Sequence, residues 1–392
     1  MRVALVTETF PPEVNGVAMT LGRLADGLRQ RGHQLHLVRP RQQRGEQPAL
    51  TADLRELLVD SLPLPRYPGL RIGLPAHGAL RKAWREQRPD IVHVATEGPL
   101  GWSALTVARR LDLPVSSSFH TNFDAYSSHY GIGWLRGGIE RYLRRFHNRS
   151  QVTLVPTQQI ARRLASADFR NLQVMARGVD TQLFNPRRRS TALRRQWGAD
   201  AATLVVAMVG RLAAEKNLML AVAAFDALHR TYPNSRLLFV GDGPQKSALA
   251  ARHPEYIFAG MRHGEDLAAH YASADIFLLP SLTETYGNVT LEAMASGLGV
   301  VAFASAAALE LIDDGRNGLL APPGDEQSFI HAAIALAVDS GLLARLRLRA
   351  PARVARLDWD TIHDSFAGLL ENLVLTHARR QSAQEMFAIA PD

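Results

Sequence analysis

The chain has 392 residues, 46% of them apolar and 21% charged, with 45 Arg and Lys against 37 Asp and Glu and no cysteine. That length holds two or three domains with full cores, and the composition excludes a disordered or fibrous chain. A cysteine-free sequence also excludes disulfides, thiolate metal sites, iron–sulfur clusters and a cysteine nucleophile, which suits a reducing compartment.

Short apolar or β-branched runs alternate with longer amphipathic stretches along the whole chain. In the first half strands are expected at 3–6, 35–38, 91–94, 115–119, 152–155 and 172–175, with helices at 17–31, 80–87, 100–111 and 135–146. The second half restarts the pattern with strands at 204–209, 237–240, 276–279 and 300–303, and helices near 218–230, 265–273 and 289–295. Such alternation implies parallel sheets covered on both faces, an α/β fold of two doubly wound domains. The polar segment RGVDTQLFNPRRRS, with Pro186 and three successive arginines, reads as the linker. The expected division is 1–178, 190–358 and a final helix at 359–376, followed by a polar tail. Ligands of such sheets sit at the carboxyl ends of the strands, so the site is expected in the cleft between the domains.

Charge is unevenly placed. Residues 1–189 carry 28 Arg and Lys against 15 Asp and Glu, a net +13; residues 190–392 carry 17 against 22, a net −5. A basic half implies an anionic partner: nucleic acid, phospholipid or a phosphorylated substrate. The longest uncharged run, 293–309, has 17 residues and two glycines, too short and too broken for a membrane span. The apolar start of MRVALVTETF is too short for a signal peptide. A cytoplasmic protein is expected, with possible attachment to the inner face of the membrane.

After the first strand, TETFPPEVNGV stops at Pro11-Pro12 and turns at Asn15-Gly16 before a helix. The amides opening that helix suit an anion, and a plain strand-to-helix connection explains the segment equally well. It is not G-x-G-x-x-G, so the dinucleotide fingerprint is missing where it belongs. His120 follows the strand at 115–119, where a doubly wound domain presents polar groups to a ligand. The remaining histidines show no ligand-like spacing, and no metal site is expected.

The second half opens with LVVAMVGRLAAEKNL. Gly210 turns the chain at the strand end, and Arg211 and Lys216, one of only three lysines, can converge on one anion. Two solvated charges beside a loop are the plainer alternative. SLTETYGNVTLEAMASG then sets Glu284 ahead of a helix and Glu292 inside it, in an otherwise apolar stretch where an unpaired carboxylate is costly. The amides of Tyr286, Gly287, Asn288 and Val289, with the helix dipole, suit phosphate. A capping arrangement plus a surface glutamate is the alternative there.

Together these segments resemble the retaining glycosyltransferases of family 4, built from two Rossmann-like domains in the GT-B arrangement. The resemblance spans residues 1–376. It implies that Arg211 and Lys216 hold the diphosphate of a nucleotide-sugar donor, and that Glu284 and Glu292, as the E-x7-E pair, contact the donor sugar and the nucleoside ribose. His120 matches a histidine near the reacting sugar, Asn15-Gly16 a glycine-turned loop near diphosphate and acceptor, and RGVDTQLF the interdomain segment. The helix around Trp359 resembles one that crosses back onto the first domain. Gly299 departs from the family's usual proline, which is expected to relax a turn. The implied reaction moves a hexose, mannose favoured, from a nucleotide-diphosphate sugar to a hydroxyl with retention, without metal or other cofactor. A front-face route is implied, in which the leaving phosphate helps deprotonate the acceptor.

The basic first half is where an acceptor is expected. Arg81, Lys82 and Arg85 cluster in one stretch, and Arg141, Arg144 and Arg145 lie beside Trp134, Leu135, Ile139, Tyr142 and Phe146 in another. Arginine with aromatic and aliphatic neighbours at helical spacing suits an anionic membrane surface; a packed apolar face with solvated arginines outside explains it equally well. FHTNFDAYSSHYGIGWL, with Tyr126, resembles family members that glycosylate diacylglycerol or other lipids, so a lipid acceptor is favoured over a soluble or polysaccharide one. A sugar-nucleotide 2-epimerase of the same fold is the alternative enzyme. A pyridoxal-phosphate phosphorylase needs a Schiff-base lysine that neither Lys216 nor Lys246 suits. A nucleic-acid binder lacks an aromatic–basic module and fits the acidic half poorly.

Overall fold

The computed structural model describes residues 1–13, 15–63, 71–120, 136–284 and 286–389. Tyr126, Trp134 and Leu135 lie outside the described residues. The chain divides into two units: Met1–Thr121 with Ser127–Ala176 and Trp359–Asp392, and Asn122–Tyr126 with Arg177–Asp358.

Unit one runs β1 (Arg2–Val6), α1 (Gly16–Gln30), β2 (Gln34–Pro40), β3 (Leu54–Val59), β4 (Ser61–Pro63), β5 (Arg71–Gly73), α2 (His77–Glu86), β6 (Ile91–Val94), α3 (Pro99–Arg110), β7 (Val115–Ser118), α4 (Arg136–His147), β8 (Val152–Val155), α5 (Gln158–Ser166) and β9 (Leu172–Val174). Its seven-stranded parallel sheet has the order β3-β2-β1-β6-β7-β8-β9, with β4 and β5 as a separate antiparallel pair. The strand order reverses between β1 and β6, which makes their carboxyl ends the switch point where a doubly wound sheet opens a crevice. Val3 and Leu5 point to one buried layer with Leu21, Leu24 and Phe366; Ala4 and Val6 point to the other with Trp84, Val92 and Phe146. Both faces are covered, so the central strands carry no polar alternation.

Unit two runs α6 (Thr191–Gln196), β10 (Leu204–Val209), α7 (Leu218–Thr231), β11 (Ser235–Val240), α8 (Lys246–Arg252), β12 (Ile257–Gly260), α9 (Gly264–Ser273), β13 (Ile276–Leu279), α10 (Asn288–Ala295), β14 (Gly299–Phe303), α11 (Ala306–Leu311), β15 (Leu319–Ala321), α12 (Glu326–Val338) and α13 (Ser340–Val354). The six parallel strands are ordered β12-β11-β10-β13-β14-β15, so this switch point lies between β10 and β13. The expected linker is part of this unit, whose long span is Arg177–Asp358. Arg189 and Arg194 both pair with the buried Asp275 at 2.8 and 3.0 Å, and Arg347 of α13 joins them at 2.9 Å.

Two further expectations are corrected. The last helix, α14 (Trp359–Ile389), continues well past residue 376. His377 Nε2 and Gln381 Nε2 bond the carbonyl and carboxylate of Asp112, which extends its anchorage along unit one. Gly299 relaxes no turn: it opens β14, and a Cβ there would lie 2.5 Å from Leu343 Cδ1, so the glycine lets α13 pack against the strand. No single helix among the described residues is long and apolar enough to cross a membrane. The pair α12–α13 has the composition, yet it bends by 101° and buries Phe329, Leu336 and Leu346 in the core.

Candidate functional site

At the unit-two switch point the loop after β10 meets the loop after β13. Gly210 takes φ +142°, and the chain then makes a short 3-10 turn over Ala214–Lys216. The turn aims Lys216 across the sheet, where its Nζ donates to Glu284 Oε1 in the loop after β13. Both side chains are mostly buried, at 19% and 14% exposure. Arg211 stays at the surface, 61% exposed and 3.9 Å from Glu215. Behind this loop, a Cβ on Gly241 would lie 1.9 Å from the Gly210 carbonyl oxygen, so the strand-end loops of β10 and β11 stack backbone on backbone.

Gly287, at φ +89°, ends the second loop and opens α10. No side chain caps this helix among the described residues, so its first amides keep their hydrogen-bonding capacity and the positive end of the dipole. Glu292 lies one and a half turns in, where burial raises its carboxyl above the ordinary value and the Tyr271 hydroxyl, donating to Oε2 at 2.9 Å, pulls it back. Tyr286 is buried, its hydroxyl pushed up to about 12 by burial.

Arg177 and Tyr271 were missed as site residues by the sequence reading. The Arg177 guanidinium lies 5.4 Å over the Tyr286 ring and donates from Nη1 to Asn288 Oδ1 at 3.3 Å. Burial lowers its pKa to about 10, against the favourable pull of Tyr286 and Glu284. Its signal was the arginine of RGVDTQLF, read only as part of a linker. A fork that is still charged at neutral pH stands beside the mouth of α10.

In unit one, Asn15 Oδ1 accepts from the amides of Val17 and Ala18 at 3.1 and 2.8 Å, and its Nδ2 donates to Thr9 Oγ1 at 2.8 Å. Two of the amides expected to suit an anion at Gly16 are thus occupied by the cap. His120 lies two residues past the end of β7, after the buried Phe119, and is itself half-buried. Glu8 is a third residue that went unremarked. It spans the β1–β6 switch point: its amide donates to Thr96 Oγ1 at 2.8 Å, while its carboxylate accepts from Gly73 N at 2.5 Å and Leu100 N at 3.1 Å. Burial pushes its carboxyl up to about 7, against the amides of Gly73, Leu100 and Gly101.

Arg81, Lys82 and Arg85 are exposed on α2, whose Leu80 and Trp84 face the core. On α4, Leu143 and Phe146 pack inward, while Ile139, Tyr142, Arg141 and Arg145 are exposed. Arg144 is tied to Asp168 at 3.5 Å. Trp102 stacks on Tyr142 at 5.5 Å, with Arg149 4.7 Å and Arg145 5.9 Å from its ring centre. The packed apolar face and the cationic outer face thus coexist on this helix.

Residues 14–183 match the family model described as Glycosyltransferase Family 4, and residues 203–339 that described as Glycosyl transferases group 1. The chain is 34% identical over 375 residues to a GDP-mannose-dependent alpha-mannosyltransferase of Mycobacterium tuberculosis, covering 95% of this chain and 96% of that one. It is 26% identical over 351 residues to the alpha-monoglucosyldiacylglycerol synthase of Acholeplasma laidlawii, covering 83% and 86%. Sucrose-phosphate synthase from Thermosynechococcus elongatus superposes with a TM-score of 0.78 at 20% identity, over 96% of this chain and 99% of that one, which speaks to the fold alone. These relatives do not favour the epimerase. Two Rossmann-like sheets, each with its own switch point, and a relative matched end to end carry one conclusion: the chain is a glycosyltransferase and belongs to glycosyltransferase family 4.

Proposed function

We propose that this enzyme moves mannose from GDP-mannose to a hydroxyl of a membrane lipid, such as diacylglycerol or a glycolipid, with retention at the anomeric carbon. The observation that carries the reading is the Lys216–Glu284 pair bridging the two switch-point loops beside the uncapped start of α10. The anomeric C–O bond breaks with its electron pair going to the departing nucleoside diphosphate, whose negative charge grows on the β-phosphate while the sugar gains oxocarbenium character. Lys216, Arg211 and the amides of Gly287, Asn288 and Val289 stabilise the leaving charge as it develops, and need no metal to do so. Glu284 orients the sugar while keeping Lys216 aimed at the diphosphate, and Glu292 receives the ribose hydroxyls. His120 positions the sugar, and the departing phosphate takes the acceptor proton on the same face. Arg177 adds fixed positive charge at the mouth of α10.

The names of the mannosyltransferase and the diacylglycerol-directed relative support donor and acceptor class. The exposed Arg81, Lys82, Arg85, Arg141 and Arg145 support attachment to an anionic cytoplasmic membrane face. A panel of GDP-mannose, UDP-glucose, UDP-galactose and UDP-glucuronate, each with and without lipid extract, tests the reading. The expected result is GDP-mannose turnover that rises with lipid and yields an organic-phase product with an α-linkage by NMR. Consumption of none of these donors, isomerisation of the free nucleotide sugar, or transfer only to soluble acceptors overturns it.

A further inference from the structure

Unit two has a second cationic concavity, at the opposite end of its sheet from Lys216 and Glu284. Thr203 and Asn234, which immediately precede β10 and β11, line a cavity of about 790 Å³ with Arg189, Arg194, Arg195 and Arg236. Its size is that of a small-molecule site.

The floor carries surplus positive charge. Arg194 donates to the carbonyls of Ser273, Asp200 and Thr203 at 2.8, 2.8 and 2.5 Å, and Arg189 to those of Ala272 and Ala274 at 3.2 and 2.9 Å. Both share Asp275 with Arg347, so one carboxylate answers three guanidiniums. Asp275 does not line the cavity; the carboxylate that does, Asp200, is turned into its own loop, accepting from Ala202 N, Thr203 N and Thr203 Oγ1 at 2.9, 2.8 and 2.7 Å.

Above that floor, two forks are uncommitted. The Arg195 side chain makes no hydrogen bond or ion pair among the described residues, and that of Arg236 donates only from Nη1 to the neighbouring Ser235 carbonyl at 2.8 Å. Residues 190–392 are net acidic, so this cluster is not the overflow of a generally basic surface. Guanidinium forks over a positive floor match the oxygens of a phosphoryl group. The lining holds no aromatic ring among the described residues on which a base would stack.

We propose that this cavity binds a free phosphoryl anion, of the size of pyrophosphate or a small phosphorylated molecule, through Arg195 and Arg236. The site is distinct from that of the donor diphosphate, and its existence does not depend on which sugar is transferred. Calorimetric titration of the full chain with inorganic pyrophosphate, with GDP and UDP both in excess to fill the donor site, tests it. Wild type is expected to bind. The double variant Arg195→Gln/Arg236→Gln is expected to bind at least roughly tenfold more weakly. Its far-UV spectrum, GDP affinity and transferase turnover without added phosphate should match wild type, since neither arginine is in the donor machinery. Failure of wild type to bind pyrophosphate under these conditions overturns the proposal, as does equal binding by the double variant. Arginine-dependent capture of phosphatidylglycerol vesicles, with no binding of pyrophosphate, also overturns it by assigning the arginines to a lipid headgroup.

Discussion

The Tyr271 hydroxyl donates to Glu292 Oε2 across 2.9 Å, joining α9 to α10 within unit two. Burial raises the Glu292 carboxyl, and this bond is what counters the rise. In Tyr271→Phe the carboxyl titrates at higher pH still, so more of it is neutral at a given pH. If Glu292 receives the ribose, KM for the donor rises roughly tenfold, the worth of one hydrogen bond to a charged group. The deficit is larger at pH 6 than at pH 8, because protonation is more advanced at the lower pH. Donor KM of both proteins at the two pH values checks this; identical values at both would remove Glu292 from donor binding.

Lys216 and Glu284 lie 68 positions apart in sequence, yet their side chains are bonded. Each single change to Ala is expected to lower kcat by about 10² to 10³, as for removal of one preorganised charge at a developing anion. The double variant should lose little beyond the worse single one, since the residues act as a unit. Steady-state kinetics on the three variants, with thermal melts to confirm folding, measures this. Losses that multiply would mean that the two groups act separately.

That pairing marks the boundary of what was legible beforehand. Lys216 and Glu284 were readable as residue types at strand ends, but their contact exists only because β10 and β13 are sheet neighbours. The central strands, such as Leu204–Val209 and Ile276–Leu279, were readable because burial on both faces leaves continuous apolar runs. Among the edge strands, β9 was readable at 172–175, but β3, β12 and β15 were not: LRELLV is half-buried and mixed, while IFAG and LLA are short and only partly buried. Arg177, Tyr271 and Glu8 owe their roles to burial against remote segments, for which no local pattern exists.

Glu8 makes unit one sensitive to pH. Its folded-state carboxyl is pushed up to about 7 from an ordinary 4.5, mainly by burial. A raised acid favours the fold fully below its unfolded value and loses that contribution as pH rises through the folded one. The difference between the limits is on the order of 3 kcal/mol. Glu8→Gln carries no charge at any pH, so its stability relative to wild type should climb between pH 5 and pH 8. Melting temperatures of both proteins across that window, taken as a difference, cancel the other titrating groups. A flat difference would mean that the Gly73, Leu100 and Gly101 amides keep the carboxylate ionised throughout.

Gly27 sits in the middle of α1 where α14 crosses it. A Cβ there would fall 2.2 Å from Cγ of the buried His363 ring, which Trp359 backs at 5.6 Å. In an ordinary helix, glycine to alanine gains about 0.5–1 kcal/mol. Here overpacking costs about 1–3 kcal/mol, because the ring is held between α1 and Trp359. Gly27→Ala is therefore expected to destabilise unit one and to hasten tryptic cleavage in α14, at Arg379 or Arg380. In a His363→Ala background the clash is gone, and the same change should be neutral or stabilising. Urea denaturation of the four proteins in this cycle reads the coupling. An equal cost of Gly27→Ala in both backgrounds would show that the glycine serves something other than the seat of His363.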